Sequence, residues 1–319
     1  MFYNSIIFLL LLIIYPLTGW AQEMPSNMVS IPAGSFIMGS KLGDKDEIPE
    51  HEVYVKAFYI DKYEVTNVQF KRFIEVNPEW SKEKINPKLH DGDYLKHWER
   101  GNYPAGMDNH PVVYVSWFAA DAYARWAKKE LPSEVQWEKA AGLNLLNEKM
   151  EKNYKYKWGV GNIFDPYLAN TAHYHGFPLG GYWSDWWADF KQDLPQKFAS
   201  GGITSPVGHF PAGVNNLYDM TGNVWEWCQD WYQGDSYARN KMSVKRSSKE
   251  EEAEGRRFDR LYEPSSIKDS GSASGNYRVV RGCSWADGDG ICRTANRYKF
   301  RPEFSSDEVG FRCVKPVGN

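Results

Sequence analysis

The stretch 216–228 carries the residue types that are best suited to chemistry, and it reads NLYDMTGNVWEWC. Asp219 and Glu226 are hard oxygen donors, and backbone carbonyls near Gly222 can complete a cation site of the kind that calcium prefers. The tryptophans of the same stretch combine a large buried area with a polar N–H. An alternative is that the two acids cap turns or pair with an arginine, so the stretch is first a structural node and second a candidate cation site.

Cysteine is the second residue type with potential chemistry, and all four cysteines lie in the last third of the chain, at Cys228, Cys283, Cys292 and Cys313. An even number is typical of disulfides in an oxidising compartment, and four cysteines allow three pairings. The spacings are wide and contain no C-x-x-C pair, which argues against a zinc site.

Composition indicates a globular, loop-rich chain. Of its 319 residues, 42% are hydrophobic and 25% are charged, which is enough for a sizeable core. The aromatic content of 16%, together with 27 Gly and 17 Pro, favours a fold that aromatic clusters hold together. The net charge of -3 gives no reason to expect a nucleic-acid partner. No repeat or linker divides the chain, so a single domain is expected over 28–319.

The N-terminus has the pattern of a targeting segment. An apolar run over 6–14 precedes small residues at Gly19 and Ala21, which predicts a signal peptide over 1–21. The run is too short for a comfortable membrane span. Residues 22–27 form a short polar leader. The mature protein is therefore expected to be exported to the periplasm or the cell exterior, with no transmembrane span after cleavage.

Three helices and several strands are predicted to position these residues. The helices begin after the caps Thr66, Ser116 and Ser133, and the second one is expected to run to Lys129. Strands are expected at 28–39, as a hairpin, and at 51–60, 111–115, 277–284 and 310–314. The charged segment 240–274 has few apolar side chains, which predicts a mobile insertion.

Six groups of residues occur in the order of a known family. They lie at 28–39, 58–67, 111–123, 131–138, 216–227 and 278–312. Each group is weak alone, but together and in order they are specific. The chain thus resembles the formylglycine-generating enzyme family, also called sulfatase-modifying factor domains, over about residues 28–315. The resemblance implies one α+β domain of the formylglycine-generating-enzyme type, related to C-type lectins and low in regular secondary structure.

The resemblance also implies where copper chemistry would lie. Catalytic members of the family bind copper(I) with two cysteines and use oxygen to convert a sulfatase cysteine to formylglycine; soft thiolates suit this ion. Ser284 matches the family's active-site serine, and Asp287 falls near the position of the first cysteine. The second cysteine falls near Asp289 or Cys292, depending on the gap. Cys283 and Cys292 are then either structural or a copper pair of a different kind.

A disulfide pairing follows from the same resemblance. Cys313 lies where the family often has a disulfide cysteine. Cys283 is expected to face Cys313, which leaves Cys228 and Cys292 for a second bridge.

Calcium is the cofactor that the resemblance favours. The family's calcium-binding segment matches the stretch described first, which implies the side chains of Asp219 and Glu226 and the carbonyls of Gly222 and Val224 as ligands. A second, weaker site would use Asn170 and the Thr171 carbonyl, and the aspartate expected to complete it falls near Ala199.

The expected function is an exported, calcium-stabilised binding or structural domain of the cell envelope that lacks the paired-cysteine copper site. Its partner would be a protein or peptide, such as a sulfatase or an envelope component. The alternative is an active, copper-dependent oxidoreductase that generates formylglycine in a sulfatase.

Overall fold

The computed structural model describes residues 27–143, 155–176, 204–238 and 275–317. The predicted signal peptide and the insertion 240–274 lie outside these residues, so both stay predictions. Among the described residues, no helix combines the length and apolar character needed to cross a membrane.

Nine short strands form three sheets in the described part of the chain. They are β1 (Met28–Ile31), β2 (Gly34–Met38), β3 (His51–Val55), β4 (Phe58–Asp61), β5 (Trp225–Trp231), β6 (Arg278–Arg281), β7 (Tyr298–Phe300), β8 (Val309–Gly310) and β9 (Val314–Pro316). Their orders are β1-β4-β9, β2-β3 and β7-β6-β5-β8. Of the two candidate acids, Asp219 therefore lies in the loop before β5, and Glu226 lies in β5 itself, which is an inner strand.

Three α-helices accompany the sheets: α1 (Asn67–Val76), α2 (Trp117–Trp126) and α3 (Glu134–Gly142). Their predicted starting points are confirmed. The hydroxyl of Thr66 accepts from Gln69 N while the Gln69 side chain accepts from Thr66 N, and Ser133 and Gln136 form the same reciprocal box. The Ser116 hydroxyl caps α2 by accepting from Ala119 N.

The second helix is shorter than the sequence predicts. Lys128 adopts a left-handed φ of 56°, and Lys129 N donates to Ala124 O, so the chain has already left the helix. The predicted end at Lys129 is therefore wrong by one turn.

Four strand predictions are also wrong. The segment 51–60 is two strands and not one, because β3 pairs with β2 whereas β4 pairs with β1 and β9. The segment 310–314 contains only the end of β8 and the start of β9, with no strand between them. The segment 28–39 is not a hairpin, because β1 pairs with β4 whereas β2 pairs with β3. Pro32, which has no N–H to donate, lies in the gap where the chain passes from one sheet to the other. The segment 111–115 forms no strand, since Val112 N donates to Val65 O while Tyr114 N donates to Ser306 O, two unrelated segments.

Buried ion pairs fix β6 and the loop that follows it against α3. Every residue of α3 is buried, including Glu134 and Glu138. Arg281, at the end of β6, donates to one oxygen of each acid at 2.7 Å. Each acid also has a second cationic partner, since Arg297 pairs with Glu134 at 2.7 Å and Lys155 pairs with Glu138 at 2.8 Å, so the buried charges compensate one another. This network positions the start of the loop that carries Ser284.

Candidate functional site

Ser284, in the loop after β6, lies between two carboxyl groups. Its Oγ is 2.9 Å from Asp287 Oδ2 and 2.9 Å from Glu308 Oε2. A serine hydroxyl has one proton, so it donates to only one of these oxygens. The other carboxyl must carry a proton to complete the second hydrogen bond. The geometry therefore requires one carboxyl proton in addition to the hydroxyl proton, and we call this carboxyl proton the shared proton.

The charges indicate which carboxyl holds that proton. Burial, together with the nearby negative charge of Asp287, raises the pKa of Glu308 to about 8. Burial also raises the pKa of Asp287, but Ser284 N and the Ser284 hydroxyl both donate to it and oppose that shift. Glu308 is thus the proton-carrying partner near neutral pH. Sequence reasoning missed Glu308, although it lies only two residues before the Gly310-Phe311-Arg312 group.

The shared proton predicts a pH dependence of stability. Because the folded-state pKa of Glu308 lies above the usual value of 4.5 for a glutamate, the folded state binds more protons than the unfolded state between about 4.5 and about 8. The stabilisation is complete below about 4.5 and is lost as pH rises through about 8. We expect the free energy of unfolding, measured with urea at a series of pH values, to fall less steeply across this window in Glu308→Gln. Equal slopes in the two proteins would contradict the shared proton.

The cysteines pair differently from the prediction. One disulfide joins Cys283 to Cys292, with Cα atoms 4.9 Å apart, whereas Cys228 and Cys313 are free and buried. A disulfide is therefore confirmed, but the predicted pairs Cys283–Cys313 and Cys228–Cys292 are wrong. The reason is geometric. The loop after β6 returns Cys292 to Cys283, while Cys228 packs in a different core cluster from the other three cysteines.

The bridge has a direct chemical consequence for the site. Cys283 and Cys292 flank Ser284 and Asp287 in sequence, and both sulfurs are bound to each other. A thiolate is the form that binds a soft metal, and a disulfide sulfur supplies none. In its oxidised form the loop therefore presents Ser284 and Asp287, with Glu308 beside Ser284, but no thiol pair.

Glu226, one of the two acids predicted to bind calcium, is fully buried and paired with Arg312. The guanidinium Nη2 and Nε donate to Oε1 and Oε2 of Glu226, each at 2.7 Å, and Trp137 Nε1 donates to Oε2 at 2.8 Å. A two-point contact of this kind is a strong form of charged hydrogen bond. The alternative of an arginine partner thus holds for Glu226, and a calcium ion would have to share this carboxylate with Arg312.

Asp219, the other predicted acid, is in a different situation. Its side chain is buried and accepts a hydrogen bond of 2.8 Å from Gly208 N. No lysine or arginine of the described residues forms a salt bridge with it. Burial raises the pKa of Asp219 to about 6. Asp219 thus has no cation in direct contact within the described part of the chain.

The structure brings the two predicted calcium segments together. Asn223 N donates to Asn170 O at 2.8 Å, and Asn170 Nδ2 donates to Asn223 Oδ1 at 3.1 Å. Gly222 makes this approach possible, since a Cβ built on it would lie 2.1 Å from Asn170 O. Next to Asn170, the buried Thr171 Oγ1 has no hydrogen-bond partner among the described residues. The residue expected to complete the second site, near Ala199, lies outside the described residues.

Glu64 is an acid of this region that sequence reasoning did not select. It follows β4, is 1% exposed, and its Oε2 accepts a hydrogen bond of 2.6 Å from Asn223 Nδ2. Its Oε1 has no partner among the described residues. Burial, and then the negative charge of Asp219, raises the pKa of Glu64 well above its usual range. The only signal in the sequence is that Glu64 belongs to the 58–67 group, which marks the family but not a role.

The fold and these loops define a family. The pattern of the sulfatase-modifying factor enzyme 1-like domain matches residues 17–317, and the chain belongs to this family. The α+β fold of the formylglycine-generating-enzyme type is likewise confirmed. The structure of PvdO from Pseudomonas aeruginosa superimposes with a TM-score of 0.56 at 24% identity, covering 91% of this chain and 94% of PvdO.

Three relatives show how varied the family is. Serine/threonine-protein kinase Pkn1 of Chlamydia trachomatis is 32% identical over 93% of this chain, which spans only 39% of the kinase's length. Formylglycine-generating enzyme of Streptomyces coelicolor is 30% identical, covering 90% of this chain and 88% of the enzyme. Inactive C-alpha-formylglycine-generating enzyme 2 of Mus musculus is also 30% identical, covering 94% and 88%. Similarity alone therefore does not decide activity.

Proposed function

We propose that this chain is a non-catalytic sulfatase-modifying factor domain that acts, after export, as a calcium-stabilised binding or structural component of the cell envelope. The observation that carries the proposal is the Cys283–Cys292 disulfide. Both cysteines near Ser284, the residue that matches the family's active-site serine, are bound in this disulfide and are not available as thiols. Function resides in the site and not in the fold, so the site decides between the active and the inactive relatives.

Copper chemistry lacks its ligands in the described residues. Copper(I) requires soft donors, above all thiolates. The remaining cysteines, Cys228 and Cys313, are buried, and burial raises the pKa of each thiol well above its usual range. They lie in separate core clusters, so they supply no pair either. The site of this chain is thus suited to hydrogen bonding by Ser284, Asp287 and Glu308, and poorly suited to oxidation of a partner's cysteine.

Export is supported by two independent features. The apolar run over 6–14 followed by small residues has the pattern of a signal peptide. A buried disulfide is typical of oxidising compartments such as the periplasm or the cell exterior. A protein or peptide of the envelope, or an exported sulfatase, is accordingly the partner class that we propose.

Calcium fits the loop before β5. Among the described residues, no three His, Cys, Asp or Glu side chains are grouped so as to form a metal site by themselves. Calcium, however, also accepts backbone carbonyls and water. Within the described part of the chain, the carboxyl of Asp219 forms no salt bridge, and Glu64 Oε1 has no hydrogen-bond partner. When bound, calcium would supply the positive charge, while Asp219 and the Gly222 and Val224 carbonyls would hold it.

Co-expression with a cysteine-type sulfatase tests the proposal. The active-site peptide of the sulfatase is analysed by mass spectrometry after co-expression with this chain, with copper supplied. We expect no formylglycine above the background without a partner. The Streptomyces coelicolor enzyme serves as the positive control. Formylglycine above background would overturn the non-catalytic proposal and favour the oxidase, and a Cys292→Ser variant would then show whether that activity depends on the loop.

A further inference from the structure

Three buried carboxyl groups lie within the electrostatic influence of one arginine, Arg312. Glu64, Asp219 and Glu226 are 1%, 8% and 0% exposed, and the charge of Arg312 acts on all of them. An ionised carboxylate away from water is costly unless a positive charge or several hydrogen bonds compensate for it. One arginine cannot balance three such groups.

Arg312 is committed to one of the three acids. Two of its nitrogens hold the two oxygens of Glu226, and Nη1 and Nη2 also donate to the carbonyls of Asp61, Lys62 and Tyr218. The guanidinium therefore has no direct hydrogen bond to Glu64 or to Asp219 in the structure. Among the described residues, these two carboxyl groups therefore have no cation in direct contact.

The orientation of Glu64 leaves one oxygen unused. Asn223 holds Oε2 at 2.6 Å, and Asn223 is itself fixed, because Ser205 N and Asn170 Nδ2 both donate to its Oδ1. Oε1 is buried and has no hydrogen-bond partner among the described residues. Asp219, four residues before Asn223 in the same loop, is the charged group that acts most strongly on Glu64. The unused oxygen thus belongs to a pair of neighbouring carboxyl groups of like charge.

We propose that Glu64 is a calcium ligand, which together with Asp219 holds an ion that ties the segment between β4 and α1 to the loop before β5. The inference rests on the calcium part of the proposed function and deepens it. It makes Glu64, an acid outside the stretch 216–228, the second carboxylate ligand of the ion. Glu226 is less available for this role because it is already paired with Arg312. Calcium suits the place better than magnesium, since it accepts six to eight oxygens in irregular geometry.

Calcium titration of the purified exported chain tests the role of Glu64. Metal is first removed with a chelator, and calcium binding is then measured by calorimetry. We expect Glu64→Gln and Asp219→Asn each to weaken binding by about tenfold or more. Glu50→Gln is the matched control, because Glu50 is a half-buried acid that precedes β3 and already has a cationic partner in Lys41, and it should bind as the wild type does.

Thermal unfolding separates a ligand from a merely structural residue. Without calcium, Glu64→Gln should be at least as stable as the wild type, because a neutral amide replaces a buried acid that repels Asp219 when it is ionised. With calcium, it should be less stable, because it gains less from the ion. A variant that is destabilised equally in both conditions would overturn the inference.

The remaining outcomes keep the two proposals distinct. Calcium binding that is unchanged in Glu64→Gln would overturn this inference and leave a calcium-stabilised domain intact. Failure of the wild type to bind calcium would overturn both. If Glu64→Gln does not fold, a crystal structure of the wild type grown with calcium decides. We expect an ion about 2.3–2.6 Å from Glu64 Oε1, and an ion bound elsewhere would contradict the assignment.

Discussion

Replacement of Arg312 by methionine is expected to lower the free energy of unfolding by about 3–5 kcal/mol, because it leaves a buried carboxylate without its partner. Arg312 is 0% exposed and holds both oxygens of Glu226. Methionine retains much of the apolar stem but supplies neither charge nor donors. Equilibrium unfolding in urea, followed by tryptophan fluorescence, measures the change.

Two further variants test the cause of that loss. Arg301 is an exposed arginine, 3.8 Å from Glu303, so Arg301→Met should change stability by less than about 0.5 kcal/mol. In the double variant Arg312→Met/Glu226→Leu, no buried charge of this pair remains, and part of the lost stability should return. A double variant that loses the sum of the two single losses would argue against the ion pair as the cause.

The second large effect is expected at Gly222. Its φ of +84° is strained for any residue with a Cβ, and a Cβ would lie 2.1 Å from Asn170 O. Backbone strain and overpacking together predict a loss of about 2–5 kcal/mol for Gly222→Ala. The same substitution should weaken calcium binding, since it pushes residue 170 away from the loop that carries Asp219. Urea unfolding with and without calcium measures both effects.

Gly101 provides a matched control. Its φ is +74°, close to that of Gly222, but a Cβ there meets nothing within 4 Å. Gly101→Ala should therefore cost only the backbone term, about 1–2 kcal/mol. Similar losses at the two glycines would mean that the contact between residues 222 and 170 contributes little.

The helices could be predicted from the sequence because their signals are local. A capping box such as Thr66 with Gln69 lies within four residues, so the sequence contains the whole interaction. Strand pairing is different, because β1 finds its partner in β4 and β4 finds a second partner in β9 near the end of the chain. Alternating apolar residues in 28–39 indicate strands but not their partners, which is why the predicted hairpin is wrong.

The candidate site shows the same limit. Asp219 and Glu226 stand out because they lie in one short stretch with a glycine and two tryptophans. Glu64 and Glu308 become notable only when folding places them beside Asp219 and Ser284. Arg312 alters the interpretation of Glu226 from a distance of 86 residues. Contacts of this kind depend on the packing of separate segments, and no spacing rule within one segment reports them.

The Cys283–Cys292 bridge also bears on how this loop can change over evolutionary time. A loop whose two ends are covalently joined keeps its exit and entry points whatever side chains lie between them. Gly290 and Ile291 are exposed, and nothing lies within 4 Å of a Cβ built on Gly290. Loops held by a rigid framework are where binding residues diversify at little cost to the fold. The disulfide that removes thiols from this site thus leaves the exposed residues of the loop, such as Gly290 and Ile291, free to change. New binding surfaces can arise there without changes to the core.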